Sequence, residues 1–222
     1  MGTGSSKISS GGGSKSKLFN EVAFDENKQS WDDFVESFGP LVTSAEKDDL
    51  SGYIATGQSF SLNEKFYDKT KGPLTSKQQK TVDALDKAID NHETPTDGIY
   101  TRYVDSGAIK GMLGLNDNQM GQVLGFQSMK SSDQALLSKA LSQTVAFSPS
   151  YTSTSAVTEH LFSHRLFKRE ISVPKGTKAY AAINNKGEHE VVFGRNMRTK
   201  IDHVSWDGKH IVFHEVFDGY EQ

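Results

Sequence analysis

Apolar side chains recur every three or four positions from Ser30 to about His92; after residue 97 they alternate or form short unbroken runs. The first spacing lines one face of an α-helix, and the second fits buried or half-buried strands. The helical part reads as three stretches, "SWDDFVESF" (30–38), "SAEKDDLSGYIATG" (44–57) and "TSKQQKTVDALDKAIDNH" (75–92). In the last of these Thr75 and Gln78 have the spacing of a capping box, and Val82, Leu85 and Ile89 share a stripe. A further helix is predicted at "SSDQALLSKALSQ" (131–143), with Ser131 and Gln134 capping each other ahead of Leu136, Leu137, Ala140 and Leu141. Strands are predicted at "GIYTRYV" (98–104), "YTSTSAV" (151–157), "REISV" (169–173), "KAYAAI" (178–183), "EVVF" (190–193), "TKIDHV" (199–204) and "HIVFHEVF" (210–217). The turn signals "VPKGT", "NNKG" and "WDGK" separate them, and the glycines of "GMLGLNDNQMGQVLG" (111–125) are assigned to turns. No internal repeat is evident. Helices first and an antiparallel-rich sheet system last make an α+β chain, with a helical lobe at about 30–92 and a sheet core at about 97–218.

Composition changes this picture mainly at the N-terminus. A chain of 222 residues, 35% hydrophobic and 24% charged, suffices for one sizeable core, and residues 20–222 are read as a single domain. The first seventeen, "MGTGSSKISSGGGSKSK", hold too little apolar surface to offset the entropy of ordering, so residues 1–19 are read as a disordered tail. Its opening, Met1-Gly2-Thr3-Gly4-Ser5-Ser6, fits an N-myristoylation pattern as well as a plain Gly/Ser linker. A net charge of −3 offers no broad basic field, which argues against nucleic acid as the main partner. The absence of cysteine excludes disulfides and thiolate metal sites. No apolar run is long enough to span a membrane, and the N-terminus lacks the apolar core of a signal peptide, so export would use another route.

Three groups of residues carry candidate chemistry. On a strand Glu188 and Glu190 would share a face while His189 points away; such a pair either keeps an edge strand soluble or works on a cation and its protons. Ser153 and Ser155 would share a face of their strand, with Thr154 on the other, and bond either a neighbouring strand or a polar ligand. Arg102 lies in an otherwise apolar strand, where a guanidinium needs a carboxylate or a phosphate. His160 and His164 are four apart, but Leu161 stands where a zinc protease needs glutamate, and no third ligand follows, so no metal is expected.

The order of these groups, an arginine on an early strand, an aromatic-Ser-Thr-Ser stretch and then Glu-x-Glu at the head of a strand, resembles the arginine-specific mono-ADP-ribosyltransferases of the Arg-Ser-Glu clade. That group includes bacterial toxins, injected effectors and phage Alt-type enzymes. The likeness extends over roughly residues 30–218, including "DDLSGYIATGQSFSLNEKFYD" ahead of the arginine and "ISVPKGTKAYAAI", "GEHEVVFGRNMRTKIDHV" and "HIVFHEVF" at the end. It implies a two-sheet catalytic core with NAD as a consumed substrate and no metal. Arg102 would hold the NAD phosphates, and Ser153, with Thr154 and Ser155, would brace the nicotinamide ribose. Glu190 would stabilise the oxocarbenium-like ribosyl cation, and Glu188 would orient and deprotonate the target arginine. In "KAYAAINNKGEHE" the target-recognition loop would contain Asn184, Asn185 and Gly187. In "HLFSHRLF" Phe162 or Phe167 would stack on nicotinamide or pack in the core, and Arg165 would meet a phosphate or solvent. The family's usual aromatic directly before the arginine is absent here: Thr101 separates Tyr100 from Arg102.

The resemblance thus implies transfer of ADP-ribose from NAD to an arginine-bearing target protein, by a protein secreted or injected into a recipient or host cell and acting in its cytosol, at a membrane only if Gly2 is lipidated. Two alternatives share the fold: an NAD glycohydrolase, which passes the same cation to water, and a non-catalytic binding module.

Overall fold

The computed structural model describes residues 17–40, 42–54, 58–158, 162–182 and 187–221. The lipidation pattern at Gly2, His160 and the loop residues Asn184 and Asn185 lie outside the described residues. Helices α1 (Trp31–Glu36), α2 (Ser44–Ile54), α3 (Gln58–Tyr67) and α4 (Ser76–Asn91) precede β1 (Gly98–Val104). Then come α5 (Ser106–Leu113), α6 (Asp117–Leu124) and α7 (Ser131–Leu141), followed by β2 (Val145–Ser148), β3 (Thr152–Ser155), β4 (Phe167–Val173), β5 (Ala179–Ala181), β6 (Glu190–Phe193), β7 (Met197–Trp206) and β8 (Ile211–Tyr220).

Local chemistry accounts for most helix ends. At α4 both capping-box bonds form, Gln78 N to Thr75 Oγ1 (3.2 Å) and Thr75 N to Gln78 Oε1 (3.0 Å), and Val82, Leu85 and Ile89 are buried as one stripe. At α7 the expected box is absent: Lys130 is the N-cap residue, Ser131 is already helical, and Gln134 Nε2 donates instead to Phe126 O (2.8 Å). The stretch expected to be turns, 111–125, contains the end of α5 and the whole of α6. Gly111 and Gly121 sit on open faces of α5 and α6, where a Cβ would meet nothing within 4 Å, so glycine there marks no turn. Gly114, with φ +62°, does end α5 in the left-handed conformation.

The strands hydrogen-bond in the order β2-β7-β8-β4-β1-β3-β6-β5, antiparallel throughout except for the parallel pair β4–β8. Seven residue pairs join β1 to β4, whereas a single pair, Thr101 with Ser155, joins β1 to β3. The expected two sheets are therefore five- and three-stranded parts that meet at this narrow seam. The N-terminal segment runs beneath it: Ala23 N donates to Ile99 O and Phe24 N to Ala156 O (both 3.1 Å), while Phe19 N reaches Ser172 Oγ (3.0 Å).

Three apolar clusters hold the layers together. Phe24, Phe34, Tyr100, Ile171 and Phe193 pack around the seam; α5 to α7 cover Phe167, Ile201 and Phe213; α2 to α4 cover Tyr151, Tyr180 and Val192. Tyr151, directly ahead of β3, is tied to α4 by its hydroxyl, which donates to Asp86 Oδ1 (2.6 Å), and Arg195 pairs with the same carboxylate. Arg169 and Glu215 form an ion pair 1% exposed, with two bonds of 2.6 and 2.5 Å, and Thr199 Oγ1 donates to the same carboxylate. Removing one partner of such a pair costs about 3–5 kcal/mol, because the other charge is left buried and uncompensated. This ion pair therefore pins β4, β7 and β8 in one register. Among the described residues no helix is long and apolar enough to cross a membrane.

Candidate active site

A cavity of about 840 Å³ opens over the seam, within the usual size range for small-molecule sites. Arg102 on β1, Ser153 on β3, Glu190 at the head of β6 and Glu188 just before it all line this cavity. The opposite wall is α2 and α3, through Tyr53, Asn63 and Tyr67. Residues far apart in sequence thus converge because β1, β3 and β6 are neighbours in the sheet and the helical lobe folds back over them.

Arg102 Nη1 donates to Ser153 O (2.7 Å) across the seam, so the guanidinium links two strands that share only one ladder pair. Burial, above all, lowers its pKa; Tyr67 opposes that shift, and Arg169 and Arg165 add to it. Among the described residues no carboxylate forms an ion pair with it, and a desolvated cation of this kind favours an anionic ligand. Arg165, also on the cavity wall, donates to Tyr103 O (3.0 Å) and lies 4.7 Å above the Phe162 ring.

Ser153 faces Val192 across the β3–β6 ladder, which makes Glu190 its diagonal neighbour, and Ser153 Oγ donates to Glu190 Oε1. Glu190 is only 7% exposed. Burial, with a smaller contribution from the Glu190 charge, pushes the phenol of Tyr180, also on the cavity wall, up to about 12. Thr154 touches the cavity, but its hydroxyl donates to Val191 O (2.8 Å); Ser155, which is not part of the lining, donates to Glu188 O (2.8 Å).

The route to this geometry differs from simple strand alternation. Glu188 lies in a turn, not on β6, and His189 between the two glutamates has φ +45°. Both glutamates nevertheless line the cavity, while the His189 ring packs against Phe24 and Trp31. Gly187, with φ +106°, supplies the freedom expected of it in the turn. Phe162 lines the cavity, whereas Phe167 is 1% exposed and packs 6.3 Å from Phe213 in the α5–α7 cluster. Phe167 is therefore a core residue, since its position on β4 faces the helices. His164 is exposed, and among the described residues no cluster of three metal-ligating side chains occurs.

Sequence reasoning passed over the contribution of α2 and α3. Asn63 Nδ2 donates to Tyr53 OH (3.1 Å) on the cavity wall, and Asn63 Oδ1 is buried with no hydrogen-bond partner among the described residues. A polar residue between Leu62 and Phe66 on a helix packed against the sheet was the available signal.

The model of the ADP-ribosyltransferase exoenzyme family matches residues 16–215. Comparison with curated proteins gives no match. Among solved structures, C3stau2 from S. aureus, solved with NAD, has a TM-score of 0.69 at 19% identity, covering 92% of this chain and 99% of that one. The Clostridium limosum C3 exoenzyme gives 0.67 at 18% identity, with 90% and 98% covered. BECa, an ADP-ribosylating toxin from C. perfringens solved with NADH, gives 0.64 at 20% identity, with 84% of this chain and 45% of that one covered. Identities this low carry the fold alone, and the family match carries the activity. The chain belongs to the ADP-ribosyltransferase exoenzyme family and is a toxin-type mono-ADP-ribosyltransferase that consumes NAD.

Proposed function

We propose that this protein transfers ADP-ribose from NAD to arginine side chains of a target protein, with Glu190 and Glu188 dividing the chemistry. The observation that supports this best is that two glutamates, one fixed by Ser153 and one on the adjoining turn, line the same cavity as a desolvated arginine. The cavity also fits NAD in its donor set. Arg102 and Arg165, both on its wall, suit a diphosphate.

NAD supplies a ribose carbon whose bond to nicotinamide breaks with the electron pair leaving on the ring nitrogen, so that positive charge grows on the sugar. Glu190 provides the fixed negative group that favours this charge, and Ser153 holds the carboxylate in place so that little reorganisation is needed during the reaction. Arg102 keeps the phosphates, and through them the sugar, in register. The acceptor must be neutral to attack: an arginine guanidinium has a pKa above about 12 and no free lone pair. Glu188 takes its proton as the new bond forms between the guanidine nitrogen and the sugar carbon. An amide acceptor carries no such charge and has far less need of that carboxylate.

On this reading residues 20–222 act as one catalytic domain, and the protein is an effector that acts on a target in the cytosol of a recipient cell. The test is mass spectrometry of proteins modified in a recipient-cell lysate supplied with NAD. ADP-ribose on arginine is the expected result; ADP-ribose on asparagine or glutamine alone, or nicotinamide release with no modified protein, overturns the arginine assignment.

A further inference from the structure

We infer that His189 is a positioning residue for the transfer reaction: its ring, clamped between Phe24 and Trp31, holds the turn that aims Glu188 and Glu190 into one cavity. The inference rests on the roles proposed above for those two glutamates.

Three successive carbonyls of this turn are tied down. Glu188 O accepts from Ser155 Oγ (2.8 Å), His189 O from Ala156 N (3.0 Å) and Glu190 O from Ala182 N (2.9 Å). The backbone between them adopts φ +45° at His189, a conformation that costs a non-glycine residue on the order of 1–3 kcal/mol unless its surroundings enforce it. The ring supplies that enforcement. Its centroid lies 5.1 Å from Phe24 and 5.0 Å from Trp31, which are themselves 5.2 Å apart, so the three rings form one cluster outside the cavity lining. Trp31 Nε1 also donates to Ala182 O (3.4 Å), which connects the clamp to the strand end on the other side of the loop. With the left-handed residue in the middle, Glu188 reaches the cavity from the turn while Glu190 reaches it from the strand.

The clamp suits a neutral imidazole. Burial lowers the His189 pKa, with Glu26 on the N-terminal segment opposing the shift, and Glu188 and Glu190 flank the ring in sequence. A folded-state pKa below the usual value of 6.5 means that the clamp is fully favoured above that pH and weakens as pH falls below it, since protonation then favours the open turn.

The experiment compares His189→Gly, which relieves the backbone cost but removes the ring, with His189→Phe, which keeps a ring and cannot titrate. Nicotinamide release and arginine transfer are both followed, and each variant's thermal midpoint confirms folding. For His189→Gly, kcat for transfer falls by about tenfold or more while KM for NAD stays within about twofold, because misaimed carboxylates affect the reacting state rather than dinucleotide binding. For His189→Phe, kcat recovers to within about threefold of the unaltered protein. A folded His189→Gly protein with unchanged kcat for both reactions overturns the inference. Glu190→Gln, assayed alongside, separates the two levels: if it too is fully active, the proposed chemistry fails; if it alone is inactive, only the clamp does.

Discussion

Glu190→Gln is expected to lower the rate of nicotinamide release by about 10²–10³, the usual loss when one preorganised charge or donor is removed from a reacting centre. The substitution keeps shape and most hydrogen-bonding capacity, so Ser153 retains a partner at position 190. What disappears is the formal negative charge, at a place where solvent contributes little because residue 190 is 7% exposed. KM for NAD should change little, since Arg102 and the helical wall do most of the holding. Release of nicotinamide is measured with NAD alone, without an acceptor, so the result isolates the first half of the chemistry. An unchanged rate would remove Glu190 from the reaction.

Glu188→Gln is expected to split the two halves. Transfer to arginine should fall by about 10²–10⁴, the range for loss of a general base, while nicotinamide release stays within about tenfold. The reaction then depends on the small fraction of guanidine that is neutral in solution. Residual transfer should accordingly climb about tenfold per pH unit up to the arginine pKa, above about 12. Equal losses of both reactions would mean that Glu188 acts on NAD rather than on the acceptor, and undiminished transfer would leave it no role.

The parts of the fold legible in the sequence are those set by local periodicity. Short apolar runs bounded by turn signals located β1 and β6 to the residue, and the capping box at Thr75 and Gln78 located the start of α4. Arg102, Ser153 and Glu190 were legible only through their order along the chain, since each signal alone fits an ordinary strand residue. The helices α5 and α6 were not, since exposed glycines at 111 and 121 carry the same signal as turn glycines. Neither was the turn at His189, because residue type hardly reports a positive φ outside glycine and asparagine, and here distant aromatic neighbours enforce it. Tyr53, Asn63 and Tyr180 became part of the site only through long-range packing of α2 and α3 over the sheet, which no local pattern encodes.

Ser153 shows how the levels connect. As one hydroxyl in a polar run it fitted plain strand pairing better than a ligand. In the structure its carbonyl accepts from Arg102 and its hydroxyl donates to Glu190, so both groups bond side chains of the neighbouring strands that line the cavity. The narrow seam between β1 and β3 makes this possible, because a fuller ladder would occupy the groups that the site uses.

The most direct measurement is a crystal structure of the Glu190→Gln protein soaked with NAD, in which slowed cleavage preserves the dinucleotide. The expected result has the diphosphate on Arg102 and the nicotinamide-side ribose within hydrogen-bond reach of residues 153 and 190. A dinucleotide bound outside this cavity, or one whose ribose lies beyond reach of position 190, contradicts it.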